Sequence, residues 1–180
     1  MAVIVLDLGH TGRTGGRPGA TSGALRESSI VRRYVAHAAD MLESRGHTVE
    51  LAGAGSYRSR QAAAKRAGAA AWVSCHVNAG WKEGYRGSVF VEKHALGGDR
   101  LAQCLADEIR ELTGSSRIWQ TSTDDWTRNA HGLISGTGSI PAVVYEPVFI
   151  DSPDHEHLCE APEQIGDALA CGLIAFLATL

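Results

Sequence analysis

Four side chains spread along the sequence have the types and settings for hydrolytic chemistry: His10, Glu27, His76 and Glu146. Two imidazoles and one carboxylate, as in His10, Glu27 and His76, are donors that zinc takes, and three protein ligands leave a fourth position for water in a catalytic site. Glu146 is an uncommitted carboxylate that could take a proton from such a water. Each residue also has a plainer reading. A histidine beside an apolar run can be a hydrogen-bonded structural residue, and Glu27 can simply favour the positive end of a helix. Glu146 is harder to set aside, because a charge that follows a buried strand needs a partner.

Strand exits position most of this set. The stretch Ala71 to Gly80 is an apolar run that follows an Ala-rich segment and stops at Asn78 and Gly80, so it reads as a short buried strand ending in a loop, with His76 at its exit. Val3 to Leu8 runs into Gly9-His10, and Ile140 to Tyr145 runs into Glu146. In α/β sheets, ligands collect in the crevice beyond the carboxyl ends of the strands. Asp7 is the one charge in the first run. Thr11 to Gly23 holds five glycines and Pro18, which predicts a loop able to approach a ligand closely. Glu27 then opens a helix whose Ile30, Val31, Tyr34, Val35, Ala38, Met41 and Leu42 recur at three- and four-residue spacing, with Gly46 as the stop.

Further along, Thr48 to Leu51 reads as a strand, Ser59 to Ala67 as a short helix and Ser88 to Val91 as another strand. Leu101, Leu105, Ile109 and Leu112 mark a helix that ends at Gly114. Residues 115 to 131, polar apart from Trp119 and Trp126, read as a loop or excursion, and Leu133-Ile134 as a brief apolar pair. A last helix begins near Pro162 and carries Ile165, Leu169, Leu173, Phe176 and Leu180 on one face. Alternating strands and helices predict a single α/β domain with a largely parallel sheet.

Other chemical candidates are weaker. Cys75 and His76 are neighbours on a strand, so their side chains point to opposite faces and form no nucleophile–base pair. Gly9-His10-Thr11-Gly12 lacks the lysine and spacing of a phosphate loop. Asp154, His155, Glu156 and His157 could bind metal adventitiously, but a solvated charged loop is the plainer reading. His37 and His47 read as structural or exposed. Trp81, Tyr85, Trp119 and Trp126 lie in predicted loops, where they would either line a sugar or peptide groove or simply pack.

Composition excludes several classes. With 180 residues, 44% hydrophobic and 21% charged, the chain can bury a core of its own. A formal charge of -3 gives no broad basic footprint, so neither nucleic acid nor an anionic membrane is an expected partner. The four cysteines, Cys75, Cys104, Cys159 and Cys171, have no CxxC spacing and support neither a disulfide framework nor a Cys-rich zinc site. Residues 1 to 20 lack the pattern of a signal peptide, which predicts synthesis in the cytoplasm. The apolar tail Leu169 to Leu180 falls short of the roughly 20 residues that cross a bilayer, so no membrane insertion is expected. Nothing in the sequence sets an oligomeric state.

Four segments, in order, resemble the zinc-dependent N-acetylmuramoyl-L-alanine amidases of bacterial autolysins and phage endolysins. They are the strand into Gly9-His10, the Gly-rich loop into Glu27, Ser74-Cys75-His76-Val77-Asn78-Ala79, and Pro141-Ala142-Val143-Val144-Tyr145-Glu146. The resemblance implies Zn2+ held by His10, Glu27 and His76, with Glu146 as the catalytic residue. It also implies a single α/β domain with a twisted, mostly parallel sheet flanked by helices on both faces, and hydrolysis of the amide between the lactyl group of N-acetylmuramic acid and L-alanine in peptidoglycan. Asn78, two residues past His76, is a candidate substrate contact, with a turn role as its alternative. Leu8 stands where the family usually has Pro, and Pro147-Val148 where a glycine is more usual. No separate wall-binding domain is expected within residues 1–180. The chain would reach the wall as a phage endolysin does, or as the excised catalytic domain of a secreted autolysin. The competing readings are a non-catalytic peptidoglycan-binding module and a zinc peptidase or amidohydrolase acting on free peptides.

Overall fold

The computed structural model describes residues 1–10, 19–92, 97–124 and 127–180. The Thr11 to Pro18 part of the expected Gly-rich loop and Trp126 therefore lie outside the described residues. In chain order the elements are β1 (Val3–Leu8), β2 (Thr21–Ser22), β3 (Leu25–Arg26), α1 (Glu27–Ser44), β4 (Thr48–Ala52), α2 (Tyr57–Ala67), β5 (Ala71–Cys75), β6 (Gly87–Glu92), α3 (Gly98–Thr113), β7 (Ser116–Thr121), α4 (Arg128–Ile134), β8 (Ala142–Glu146), α5 (Glu156–Glu160) and α6 (Glu163–Leu177).

Six strands form one sheet in the order β4-β1-β5-β8-β6-β7. The first four run parallel, while β6 lies antiparallel to β8 and parallel to β7, so the last two strands are reversed. The edge where β1, β5 and β8 end is therefore the edge where β6 and β7 begin.

Alternation along each strand feeds two apolar layers. Ile4, Leu6, Val73, Cys75, Val143 and Tyr145 pack on one face against Val35 and Leu42 of α1, Leu105 of α3 and Leu169 of α6. On the other face, Val5, Trp72, Phe90 and Val144 meet Ala64 of α2 and Ile134 of α4. Helices thus cover both sides, which is why β5 is buried at all five positions. The α2 helix is bounded as its sequence suggests. Ser56 Oγ accepts from the Ser59 amide at its start, and Gly68 closes it in the left-handed conformation.

Asp7 is fully buried in the middle of this core, and Arg60 of α2 donates to its Oδ1. Ser74 of β5 donates to Oδ2 at 3.0 Å. The charge within the apolar run of β1 is thus answered by a cation from the adjacent helix and a hydroxyl from the adjacent strand.

Three regions differ from the sequence expectations. Residues 115–131 are not one loop: they hold β7 and the start of α4. The β7 strand has β6 as its sole neighbour in the sheet, and Arg117, Ile118 and Gln120 are exposed, so no buried face wrote an apolar run into its sequence. The end of the expected loop, from Thr21, folds into the small hairpin β2-β3 that leads into Glu27. A short helix, α5, lies within the segment read as a charged loop. Among the described residues, no helix is long and apolar enough to cross a membrane.

Candidate active site

The end of β1 is fixed to β5 by a bond from the Gly9 amide to the Cys75 carbonyl at 2.9 Å. A side chain at Gly9 would meet that carbonyl and the His76 ring, each at 2.6 Å, so glycine is what lets the two strand exits approach. His10 follows with φ 58°, the one non-glycine residue in the left-handed region among the described residues. Such backbone costs of order 1 kcal/mol or more and persists where its surroundings hold it. Here it turns the imidazole back over the sheet edge.

Glu27 arrives from the opposite side as the first residue of α1, its amide bonded to the Ala20 carbonyl at 3.0 Å. Its carboxylate lies 3.1 Å from His76 Nδ1 and 3.5 Å from His10 Nε2. Backbone amides of Ala20 and Val77 donate to it at 2.7 and 3.1 Å. Gly19, in the left-handed region, leaves the space this carboxylate fills. His76 is held by its own backbone. Its amide bonds the Tyr145 carbonyl at 2.9 Å, and Tyr34 Oη donates to its carbonyl at 3.1 Å. The two imidazole rings stand edge to face, 5.2 Å apart.

The electrostatics follow from these contacts. Burial pushes the Glu27 carboxyl up, but the bonds from His76, Ala20 and Val77 outweigh it and the pKa falls below the ordinary value. Burial lowers His10 more than Glu27 raises it. At His76, burial is overcome by the Glu27 hydrogen bond and the nearby charges of Glu146 and Glu27, so its pKa rises. Glu146 is half-buried at the end of β8, the strand beside His76. Burial, opposed by His76 and reinforced by Glu27, takes its pKa up to about 7.

His10, Glu27 and His76 each bring one ligand atom within 4.8 Å of the others. His76 Nδ1 lies 3.1 Å from Glu27 Oε1 and His10 Nε2 lies 3.5 Å from Glu27 Oε2, so the carboxylate sits between the two imidazoles. His76 Nε2 is buried without a hydrogen-bond partner, so this imidazole is not satisfied as a core histidine would be. The donor chemistry and spacing fit a zinc ion.

The structure brings together His10, Glu27 and His76, with Glu146 at the neighbouring strand end. Asn78 lies in the loop beyond His76, where its Oδ1 accepts from the Ala79 amide at 2.8 Å and its side of the loop faces a groove. His155 is elsewhere: it is buried and accepts the Phe149 amide on Nδ1 at 3.1 Å, a structural role. His37 pairs with Asp167 at 2.7 Å on the surface. Tyr85 and Trp119 line that groove beside Asn78. What the sequence reading missed are the amides of Ala20 and Val77 and the Tyr34 hydroxyl. Backbone donors carry no sequence signal, and Tyr34 reads simply as part of an apolar stripe.

Comparison with known proteins accords with this geometry. The profile of the N-acetylmuramoyl-L-alanine amidase family (Amidase_3) matches residues 4–175, and the chain belongs to that family. Its activity is accordingly that of a peptidoglycan amidase. Among solved structures it is similar to the amidase AmiC2 of Nostoc punctiforme, with 22% identity and a TM-score of 0.74 over 98% of this chain and 97% of that one. The catalytic domain of CwlV, an N-acetylmuramoyl-L-alanine amidase from Bacillus (Paenibacillus) polymyxa var. colistinus, is 18% identical with a TM-score of 0.78 over 99% of each chain. Cwp6 from Clostridium difficile is 20% identical with a TM-score of 0.82, over 97% of this chain and 29% of that one. At these identities the likeness speaks for the fold. Comparison with curated proteins found no match.

Proposed function

We propose that the chain hydrolyses the amide between N-acetylmuramic acid and L-alanine with a zinc ion held by His10, Glu27 and His76, and with Glu146 as the general base. The observation that carries this reading is the convergence of three ligand atoms within 4.8 Å from three distant points of the sequence, beside a fourth residue, Glu146, whose pKa lies near 7. Bound zinc supplies Lewis-acid polarisation of the amide carbonyl and brings the pKa of water from about 15.7 towards about 7. Glu27 holds His76 at the ring nitrogen that faces it, and the Ala20 and Val77 amides hold Glu27 in turn, so both side chains are oriented before substrate arrives. Glu146 takes the proton of the attacking water and returns it to the departing alanine nitrogen, a role suited to a pKa close to the working pH. Asn78, at the wall of the adjoining groove, contacts substrate. The chain acts on the cell wall as one catalytic domain.

The deciding experiment digests purified peptidoglycan with the native protein, the chelated protein and the chelated protein after zinc is restored, scoring new alanine amino termini. Release that chelation abolishes and zinc restores is the expected outcome. Release that survives complete removal of metal ends the zinc reading. Zinc binding with no new termini turns the chain into a wall-binding module, and cleavage confined to free peptides makes it a peptidase.

A further inference from the structure

A groove of about 410 Å³ adjoins the candidate site and is lined by Asn78, Tyr85, Arg86, Arg117, Trp119 and Phe149, among others. Its volume is that of a small-ligand site. The walls continue the elements that carry the chemistry, for Asn78 follows His76 by two residues and Phe149 follows Glu146 by three. Its floor is set by sheet register. Ser88 of β6 stands opposite Glu146 of β8, and Arg117 of β7 stands opposite Ser88. Residues in register share a face, so Arg117, Ser88 and Glu146 form one row across three strands. Two strand spacings of about 4.8 Å put Arg117 and Glu146 roughly 10 Å apart along that row.

The charge in this groove is of one sign. Among the described residues, neither Arg86 nor Arg117 has a carboxylate partner, and Arg117 instead lies 4.7 Å over the ring of Trp119. A guanidinium held over an aromatic ring can still offer N–H donors to an anion.

Resting on the amidase reading above, we propose that Arg117, assisted by Arg86, binds a carboxylate on the stem-peptide side of the substrate, one residue beyond the L-alanine. The test case is a stem whose second residue is a γ-linked glutamate with its α-carboxyl either free or amidated. One residue advances the chain by about 3.5 Å, and an extended arginine side chain spans much of the roughly 10 Å between the Arg117 and Glu146 strand positions. The groove therefore selects stems with the free acid over stems with the carboxamide. The carboxamide offers no charge to either guanidinium and places an amide donor against them.

The test uses two tripeptides, L-alanyl-γ-D-glutamyl-L-lysine with the glutamate α-carboxyl free or amidated, both amidated at the C-terminus. Binding to the zinc-supplemented protein is followed by Trp fluorescence and calorimetry, so the readout is independent of turnover. The free-acid peptide binds about 10- to 100-fold more tightly than the carboxamide, and Arg117→Gln removes the difference. Arg117 is exposed on an edge strand, so the variant retains the fold; Arg86→Gln gives the same loss in smaller measure. Equal affinity of the native protein for the two peptides overturns the proposal, as does a preference that survives both substitutions. Failure of the amidase reading is seen separately, as the absence of new alanine termini from peptidoglycan in the digestion described above.

Discussion

Asp7 and Glu27 are both buried carboxylates, 0% and 3% exposed, and both touch the β1–β5 edge, yet their surroundings give them opposite characters. Asp7 faces a full positive charge from Arg60 and a hydroxyl from Ser74, so its negative charge is answered within the protein. Glu27 faces two imidazoles and two backbone amides, none carrying a permanent charge. Its shell holds the anion in place without neutralising it. Burial alone does not make a carboxylate a ligand; a shell of neutral donors with a net charge left over does, and that surplus is what a cation completes.

Exchanging each acid for its amide is the sharpest way to break this contrast. Glu27→Gln removes the anionic ligand, and we expect zinc content, measured by metal analysis, and peptidoglycan hydrolysis both to fall to background. Asp7→Asn should retain zinc in the folded protein. Equal zinc loss in the two variants would erase the distinction drawn between them.

Glu146→Gln comes next in size. It should bind zinc normally and lose about 10²- to 10⁴-fold in kcat. Full turnover in this variant removes Glu146 from the chemistry.

Arg60→Met tests the closed side of the comparison. Leaving Asp7 buried without its cation should cost about 3–5 kcal/mol in urea denaturation, whereas replacing both partners together with Met and Leu should restore much of that loss. A single variant as stable as the native protein would show that the pair contributes nothing.

The smallest effect is the acid limb of the pH profile. Glu146 must be ionised to accept a proton, and burial has raised its pKa to about 7, so kcat/KM should fall up to about tenfold per unit as pH drops below that value. Glu146→Gln should flatten that limb in its residual activity. A limb unchanged in the variant would assign it to another group.

How much of this was legible in the sequence depended on whether a residue's partners were side chains in regular elements. The β5 strand is buried on both faces and reads directly as an apolar run, and so the His76 exit was visible. His10 and Glu27 could be placed because one follows a strand and the other opens an amphipathic helix. Asp7 was visible as an anomaly, but its answer, Arg60, sits 53 residues away on a helix whose sequence reads as solvent-facing. The β7 strand was missed because an edge strand with a wet face has no apolar period to detect. Register was out of reach altogether: Arg117, Ser88 and Glu146 are far apart in sequence, and only the reversed pairing of β6 puts them in one row.

That reversal has a consequence for how such a protein can diversify. Three of the residues proposed to hold metal or move protons, His10, His76 and Glu146, lie at the ends of interior strands, where each backbone is clamped from both sides and substitutions disturb the core. The starts of the two reversed strands face the same edge, but β7 is bonded to a single neighbour and half exposed. Substrate preference can therefore be rewritten at Arg117 and its surroundings with little cost to folding, while the hydrolytic centre stays as it is. Chemistry and selectivity are carried by parts of one sheet that mutate on separate terms.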